Sequence, residues 1–251
     1  VEIEAAHRRT RGVFGPHRLQ KELQSHGIKV SLYRIRRIRR NLNLRCKQVK
    51  KFKATTNSKH RLPVVDNLIN QNFITDAPNK VWVTDIPYIP TREGWLYLAT
   101  HKDIFNGEIV GYAMDSHMRE SLVKNSLLMA IHKRKPGAGL IHHSDRGSQY
   151  CAYEYQKLLK FFNIIPSMSR KGNSHDNAPM ESFFGTLKNE LVHHRRYNTR
   201  KEAIKDITEY IEVFYNRLRP QQRLNYLSPC EFLKEFYAMR KAARKKVRVH
   251  Y

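Results

Sequence analysis

The chain has 251 residues, enough for one large domain or two smaller ones with a real core. With 40% hydrophobic and 10% aromatic residues it reads as a folded protein; no apolar run is long enough to span a bilayer, and no signal-peptide pattern opens it. Its 47 Lys and Arg outnumber 22 Asp and Glu, and Cys46, Cys151 and Cys230 lie too far apart for a disulfide framework or a zinc knuckle, which suits a reducing, cytoplasmic compartment.

The charge is uneven. Residues 1–61 hold 18 Lys and Arg against 3 acids, and residues 62–237 hold 23 against 19. Residues 238–251 hold 6 basic residues and no acid. A near-balanced centre between two basic ends points to a polyanion, with nucleic acid as the leading partner and a merely solvated basic surface as the alternative. The chain is therefore divided into a DNA-binding region with a basic linker (1–61), a central domain (62–237) and a basic tail (238–251). It opens on Val rather than Met, which leaves open a longer upstream frame.

In chain order, "FGPHRLQKELQSHG" carries a proline suited to a first helical position and a glycine suited to ending a helix, with Leu19 and Leu23 as a short apolar stripe. Ser31 is set to cap a second helix, "LYRIRRIRRNL", with Leu32, Ile35, Ile38 and Leu42 inside and Arg34, Arg36, Arg37 and Arg40 outside. The pair reads as a helix-turn-helix whose second helix meets DNA. "KQVKKFKATTNSKHR" reads as an extended basic linker.

"VWVTDIPYI", "WLYLATHKDIF" and "IVGYAMD" then predict a three-stranded antiparallel meander, with Trp82 and Trp95 in the core. "RESLVKNSLLMAIHKR" predicts a helix buried along Val123, Leu127, Ala130 and Ile131. A fourth strand "GLIHHS", a helix "YEYQKLLKFFN", a fifth strand "IIPSMS" and a helix "APMESFFGTLKNELV" follow. A last long helix over 199–218 opens with Thr199 and Glu202 in capping-box spacing and buries Ile204, Ile207, Ile211, Phe214 and Tyr215. The result is an α/β fold: a mixed five-stranded sheet flanked by helices.

Within that frame three acids stand out. Asp85 lies in a strand between Val83 and Ile86, where an unpaired charge costs several kcal/mol or more, so it needs a cation, a hydrogen-bond network or a metal. Asp145, in "LIHHSDRGSQY", ends the fourth strand and is either a helix cap or one arm of a metal site. Glu181 lies early on the helix after the fifth strand. A hard, oxygen-coordinated ion would account for all three together. Asp103, Asp115, Asp176 and Glu190 compete: Asp115 as a turn or cap residue, Asp176 as a cap with Asn177, and Asp103 as the strongest rival. His142 and His143 lie on alternating strand faces, so one can be core and the other near the site; a structural role is favoured over ligation. Ser144, Ser148 and Gln149 either shape a turn or touch DNA.

"VWVTDIPYI", "HHSDRGSQY", "SMSRKGNSHDNAPMESFFGTLKNE" and "FYNRLRP…LSP" resemble the ordered blocks of the insertion-sequence transposases, within the retroviral-integrase (DDE recombinase) superfamily. The resemblance covers nearly the whole chain and implies a ribonuclease-H-like catalytic core behind the helix-turn-helix, with Asp85, Asp145 and Glu181 as catalytic metal ligands. The family's gap of 35 residues between the last two acids is met. So is a basic residue seven positions after the glutamate, Lys188, on the same helical face. Gln221 stands where many relatives carry histidine, so no role is carried to that position.

The resemblance implies binding of an element's terminal repeats and target DNA, with metal-dependent strand cleavage and strand transfer, at least as a dimer on DNA in the bacterial nucleoid. Two magnesium ions per site are expected, with manganese as a substitute. Lys188 is an expected phosphate contact beside the arginines of the second helix, and Lys171 is either another or part of a solvated loop. The rivals are a ribonuclease-H-like nuclease that does not join, and a catalytically inactive DNA-binding regulator.

Overall fold

The computed structural model describes residues 1–47 and 62–248, so the expected basic linker, from Gln48 on, and the last three residues lie outside it. Three short helices open the chain: α1 (Glu2–Arg9), α2 (Pro16–Ser25) and α3 (Leu32–Asn41). Pro16 starts α2, and Ser31 caps α3 by accepting from the Arg34 amide at 3.3 Å. Ile3, Ala6, Leu19, Leu23 and Ile35 are buried and hold the three helices together. Leu42, expected on the inner face, is exposed because α3 stops at Asn41. Arg39 turns inward instead and donates to the Cys46 sulfur at 3.0 Å.

The central sheet comprises β1 (Val81–Asp85), β2 (Tyr88–Thr91), β3 (Gly94–Asp103), β4 (Ile109–Asp115), β5 (Ile141–Ser144) and β6 (Ile165–Met168). The first expected strand is interrupted at Ile86–Pro87, since proline has no amide hydrogen for the ladder. Register is nevertheless continuous: Asp85 faces Thr100 and Tyr88 faces Tyr97, so β2 extends β1 along the same edge of β3. Counted by edges, the described sheet is therefore five strands wide, in the order β4, β3, β1, β5, β6. The meander is antiparallel; β1, β5 and β6 run parallel.

Helices α4 (Glu120–Arg134), α5 (Ser148–Cys151) and α6 (Tyr153–Phe161) pack with Trp82, Ala99 and Val110 on one face. Gly111 allows α4 to lie directly on β4, for a Cβ there would sit 2.3 Å from the Ser126 carbonyl oxygen. On the other face Val81, Val83, Ile89, Leu96 and Leu98 meet α7 (Ala178–Glu190) and α8 (Arg200–Glu209). This alternation of neighbours between faces is the period of a strand. Trp95 departs from the expected core: it is 48% exposed at the start of β3.

Thr199 caps α8 by accepting from the Glu202 amide at 3.1 Å, while Glu202 accepts from Asn198 rather than from Thr199, one residue off a strict capping box. The helix continues with a wider, π-type winding through Tyr210–Leu218. Ile207, Ile211, Phe214 and Tyr215 are buried as expected, but Ile204 is at the surface. Phe14 packs on Phe214 with ring centroids 5.9 Å apart, and Arg11 pairs with Glu209 at 2.5 Å, so the N-terminal helices dock on this long helix. Helix α9 (Pro229–Arg248) runs without a break into the basic tail. No helix among the described residues is long and apolar enough to cross a membrane.

Candidate active site

Strand register brings the two aspartates together. Val81 faces Ile141 and Val83 faces His143 in the parallel β1–β5 pair. Two residues further, the same register leads to Asp85 and Asp145, at the C-terminal ends of neighbouring parallel strands, where α/β sheets commonly hold ligands. Asp85 Oδ1 accepts from the Ile86 amide at 2.8 Å, and Asp145 Oδ1 from the Gly147 amide at 2.9 Å. Asp145 thus braces the turn into α5 and faces Asp85 as well. A side chain at Gly147 would crowd that carboxylate, its Cβ lying 3.0 Å from Asp145 Oδ1.

Glu181 comes from the first turn of α7, and two contacts fix where that turn sits. Asn177 donates to the Thr84 carbonyl at 3.1 Å, and the buried Lys102 donates to the Pro179 carbonyl at 2.9 Å. Asp176, expected as a cap, is instead an enclosed counter-ion. It accepts from the Arg170 amide and guanidinium at 2.8–3.0 Å and from Gln71 at 2.8 Å, closing the loop before α7. Its carboxyl is held well below the usual range by the Arg170 guanidinium. Asn177 and Lys102 carry no signal in the sequence beyond their residue types.

The carboxylates are coupled through charge. Asp85 is pushed up to about 7, first by burial and then by Asp145, with Glu181 adding to the shift. Lys188, lowered by burial, is held up in turn by Asp85, and its ammonium lies 5.4 Å from the Tyr88 ring centroid. The buried Tyr150 hydroxyl contacts Thr84 Oγ1 at 3.1 Å and stays neutral beside both aspartates. Cys151 is raised to about 11 by burial and by Asp145, so it presents a thiol rather than a thiolate. Among the described residues no three His, Cys, Asp or Glu side chains already stand as a closed ligand group. Asp85 and Asp145 are half-buried, whereas Glu181 is exposed.

The competing acids have other work. Asp103 accepts from the Asn79 and Phe105 amides at 2.9 and 3.0 Å and pairs with Trp82, at the opposite end of β1 from Asp85. Asp115 accepts from the Ser116 amide, as a turn residue should. Glu190 takes a two-pronged bond from Arg219 at 2.8–3.0 Å and a bond from the Tyr210 hydroxyl at 2.7 Å.

Both histidines are core, in line with the favoured structural reading; neither borders the site. His142 contacts His101 and Tyr155 at 3.0 and 2.9 Å, and His143 contacts Ser167 and Ser169 at 2.9 and 3.1 Å. Burial lowers them to about 3 and about 4, so they are neutral at pH 7. Ser144 and Gln149 bond the Asp145 and Met118 carbonyls. Lys171 is exposed on the loop before α7; Arg34, Arg36, Arg37 and Arg40 are exposed on α3, far along the chain from the carboxylates.

Two family descriptions named "Integrase core domain" match residues 75–174 and 181–235, and an "HTH-like domain" matches residues 1–52. An insertion element IS600 uncharacterized 31 kDa protein from Shigella sonnei is 55% identical over 95% of this chain and 88% of its own length. The transposase for insertion sequence element IS904 of Lactococcus lactis is 42% identical over 93% of this chain and 92% of its own. Transposase InsF for insertion sequence IS3A of Escherichia coli is 39% identical over 92% and 80%. Among solved structures, the simian T-cell lymphotropic virus intasome in complex with the PP2A regulatory subunit B56 gamma aligns at TM-score 0.52, 16% identity, covering 85% of this chain and 70% of that one. The HTLV-2 integrase catalytic core domain in complex with magnesium aligns at TM-score 0.50, 16% identity, covering 63% and 99%. These two share its fold.

Proposed function

The chain belongs to the insertion-sequence transposases that carry an integrase core domain, and we propose that it cuts DNA at the ends of its element and joins them to a target through Asp85, Asp145 and Glu181. The observation that carries this reading is the parallel β1–β5 register, which sets Asp85 beside Asp145 at neighbouring strand ends; Asp145 and, more weakly, Glu181 on α7 help to raise the Asp85 carboxyl. Such a surplus of negative oxygen, with the adjacent Cys151 sulfur kept as a thiol, suits a hard divalent cation, magnesium first.

Asp85 and Asp145 would hold it, with Glu181 as the third arm; Glu181 is exposed, and a solvated carboxylate on rotatable bonds reorients at little cost. Bound there, a divalent cation supplies Lewis-acid stabilisation of charge developing on phosphate oxygens. Two ions per site, with manganese as a substitute, complete the proposed cofactor set.

The protein's own part is positioning. Lys188 offers a cation for a DNA phosphate from the helix that carries Glu181. Lys171 offers another on the loop before it, and the exposed arginines of α3 offer the contacts that recognise the terminal repeats. The three divisions of the chain then serve recognition (1–61), chemistry (62–237) and charge (238–251). Two element ends need two such sites, so the working form on DNA is at least a dimer, acting at the bacterial nucleoid.

The test is incubation with magnesium and a pre-cleaved element end. Joined products support transposition; cleavage without joining supports the plain nuclease; neither, with DNA binding intact, supports a binding regulator.

A further inference from the structure

Tyr88, half-buried and three residues along the chain from Asp85, forms an aromatic pair with the exposed Trp95. Tyr88 faces Tyr97 across the β2–β3 pair, and Trp95 lies two residues from Tyr97, so the two rings share one face of the sheet. Their centroids are 4.8 Å apart at 73°, an edge-to-face contact. The neighbouring Ile89 and Leu96 are fully buried, yet Trp95 is 48% exposed.

That exposure is held in place from several sides. Thr91 donates to the Gly94 carbonyl at 2.6 Å, and Gly94 adopts φ +101°, a left-handed turn that favours glycine. Arg200 donates from Nε to the Trp95 carbonyl at 3.0 Å and from its amide to Glu93 at 2.8 Å. The Arg92 amide bonds the Tyr197 carbonyl at 3.0 Å, which seats the hairpin on the segment before α8. Arg92, in the hairpin turn, and Arg196, next to Tyr197, are exposed, and the Lys188 ammonium lies 5.4 Å from the Tyr88 ring centroid.

We propose that Tyr88 and Trp95 are a stacking platform for an unpaired base of the DNA end being processed, with Lys188, Arg92 and Arg196 taking the flanking phosphates. Aromatic faces set among cations are how proteins hold single-stranded nucleic acid without reading its sequence. A strand rises roughly 3.3 Å per residue, so the platform begins roughly 10 Å from Asp85, within reach of a nucleotide next to a phosphate held there. A buried apolar partner would not be served by the surrounding positive charge; a nucleotide is. Only the location of the base relative to the chemistry rests on the assignment of the three carboxylates.

The experiment measures affinity of the full chain in EDTA, so it reads binding without strand cleavage. The probes are a blunt duplex, the same duplex with a short adenine overhang at either end polarity, and that overhang made abasic. Wild type is expected to prefer the adenine overhang over the abasic one about tenfold, since stacking one base contributes on that scale. Trp95→Ala is expected to bring that ratio to about one, and Trp95→Phe to keep most of it. A 2-aminopurine placed in the overhang should be quenched by wild type and by Trp95→Phe but not by Trp95→Ala. Equal wild-type affinity for the two overhangs, or an undiminished ratio in Trp95→Ala, overturns the platform. Either result leaves metal-dependent cleavage by the carboxylates to be judged separately.

Discussion

Asn177 donates its side-chain amide to the main-chain carbonyl of Thr84 across 3.1 Å, tying the start of α7 to the residue before Asp85. The bond links the strand that carries one acid to the helix that carries another. Asn177→Ala removes the donor and leaves a buried carbonyl, at a cost of about 1–3 kcal/mol in stability. Strand cleavage should fall more than about tenfold, because small displacements of reacting groups weigh heavily on rate. DNA affinity, set elsewhere, should change little. Thermal unfolding, a cleavage time course and a binding titration together check this.

Proton and cation compete for the same carboxyl. In the metal-free protein Asp85 titrates at about 7 against 3.8 in the unfolded chain, so the unfolded state sheds its proton first and stability is lost as pH rises between those values. A bound divalent ion offsets both the burial of the Asp85 charge and its repulsion by Asp145. The rise in melting temperature caused by magnesium should therefore grow as pH climbs through about 7 and vanish on chelation. Asp85→Asn should show neither the pH dependence nor much of the shift. A magnesium shift independent of pH contradicts the coupling.

The "NRLRP" stretch has a structural reason. Arg219 is buried and Glu190 largely so, and bonds of 2.8–3.0 Å join them, locking the end of α7 to the turn after the long helix. Arg219→Met leaves Glu190 without its main cation and should cost about 3–5 kcal/mol. Denaturant unfolding reads the loss. A change within about 0.5 kcal/mol shows the pair to be incidental.

Helix α3 turns Arg34, Arg36, Arg37 and Arg40 to solvent while Ile35 is buried. Each arginine that neutralises a phosphate contributes about 0.9 to the slope of log affinity against log salt. Arg36→Ala and Arg37→Ala should each flatten that slope by about 1 on the element's terminal DNA. Slopes identical to wild type place the DNA footprint elsewhere.

Much of the fold was legible because short β-branched runs such as "VWVTD" and "IVGYAMD" leave little choice but strand. Pairing the aspartates needed more, since their adjacency arises from a parallel register that no local pattern encodes; the order of the motifs supplied it. Helix α1 gave no signal because Glu2, Glu4, His7, Arg8 and Arg9 outnumber its two buried residues, Ile3 and Ala6. Trp95 reads as core because large aromatics in strands usually are, yet at the hairpin end of β3 it is exposed. Asp176 looked like a cap because one partner, Gln71, lies 105 residues away. Lys102 beneath α7 is likewise a product of packing, not of its neighbours in sequence.

The most direct measurement is magnesium-dependent cleavage of the element's end by Asp85→Asn, Asp145→Asn and Glu181→Gln, alongside a binding titration on the same DNA. All three variants should lose cleavage while binding the end within a fewfold of wild type. Cleavage near the wild-type rate in any one of them means that residue is not part of the catalytic group.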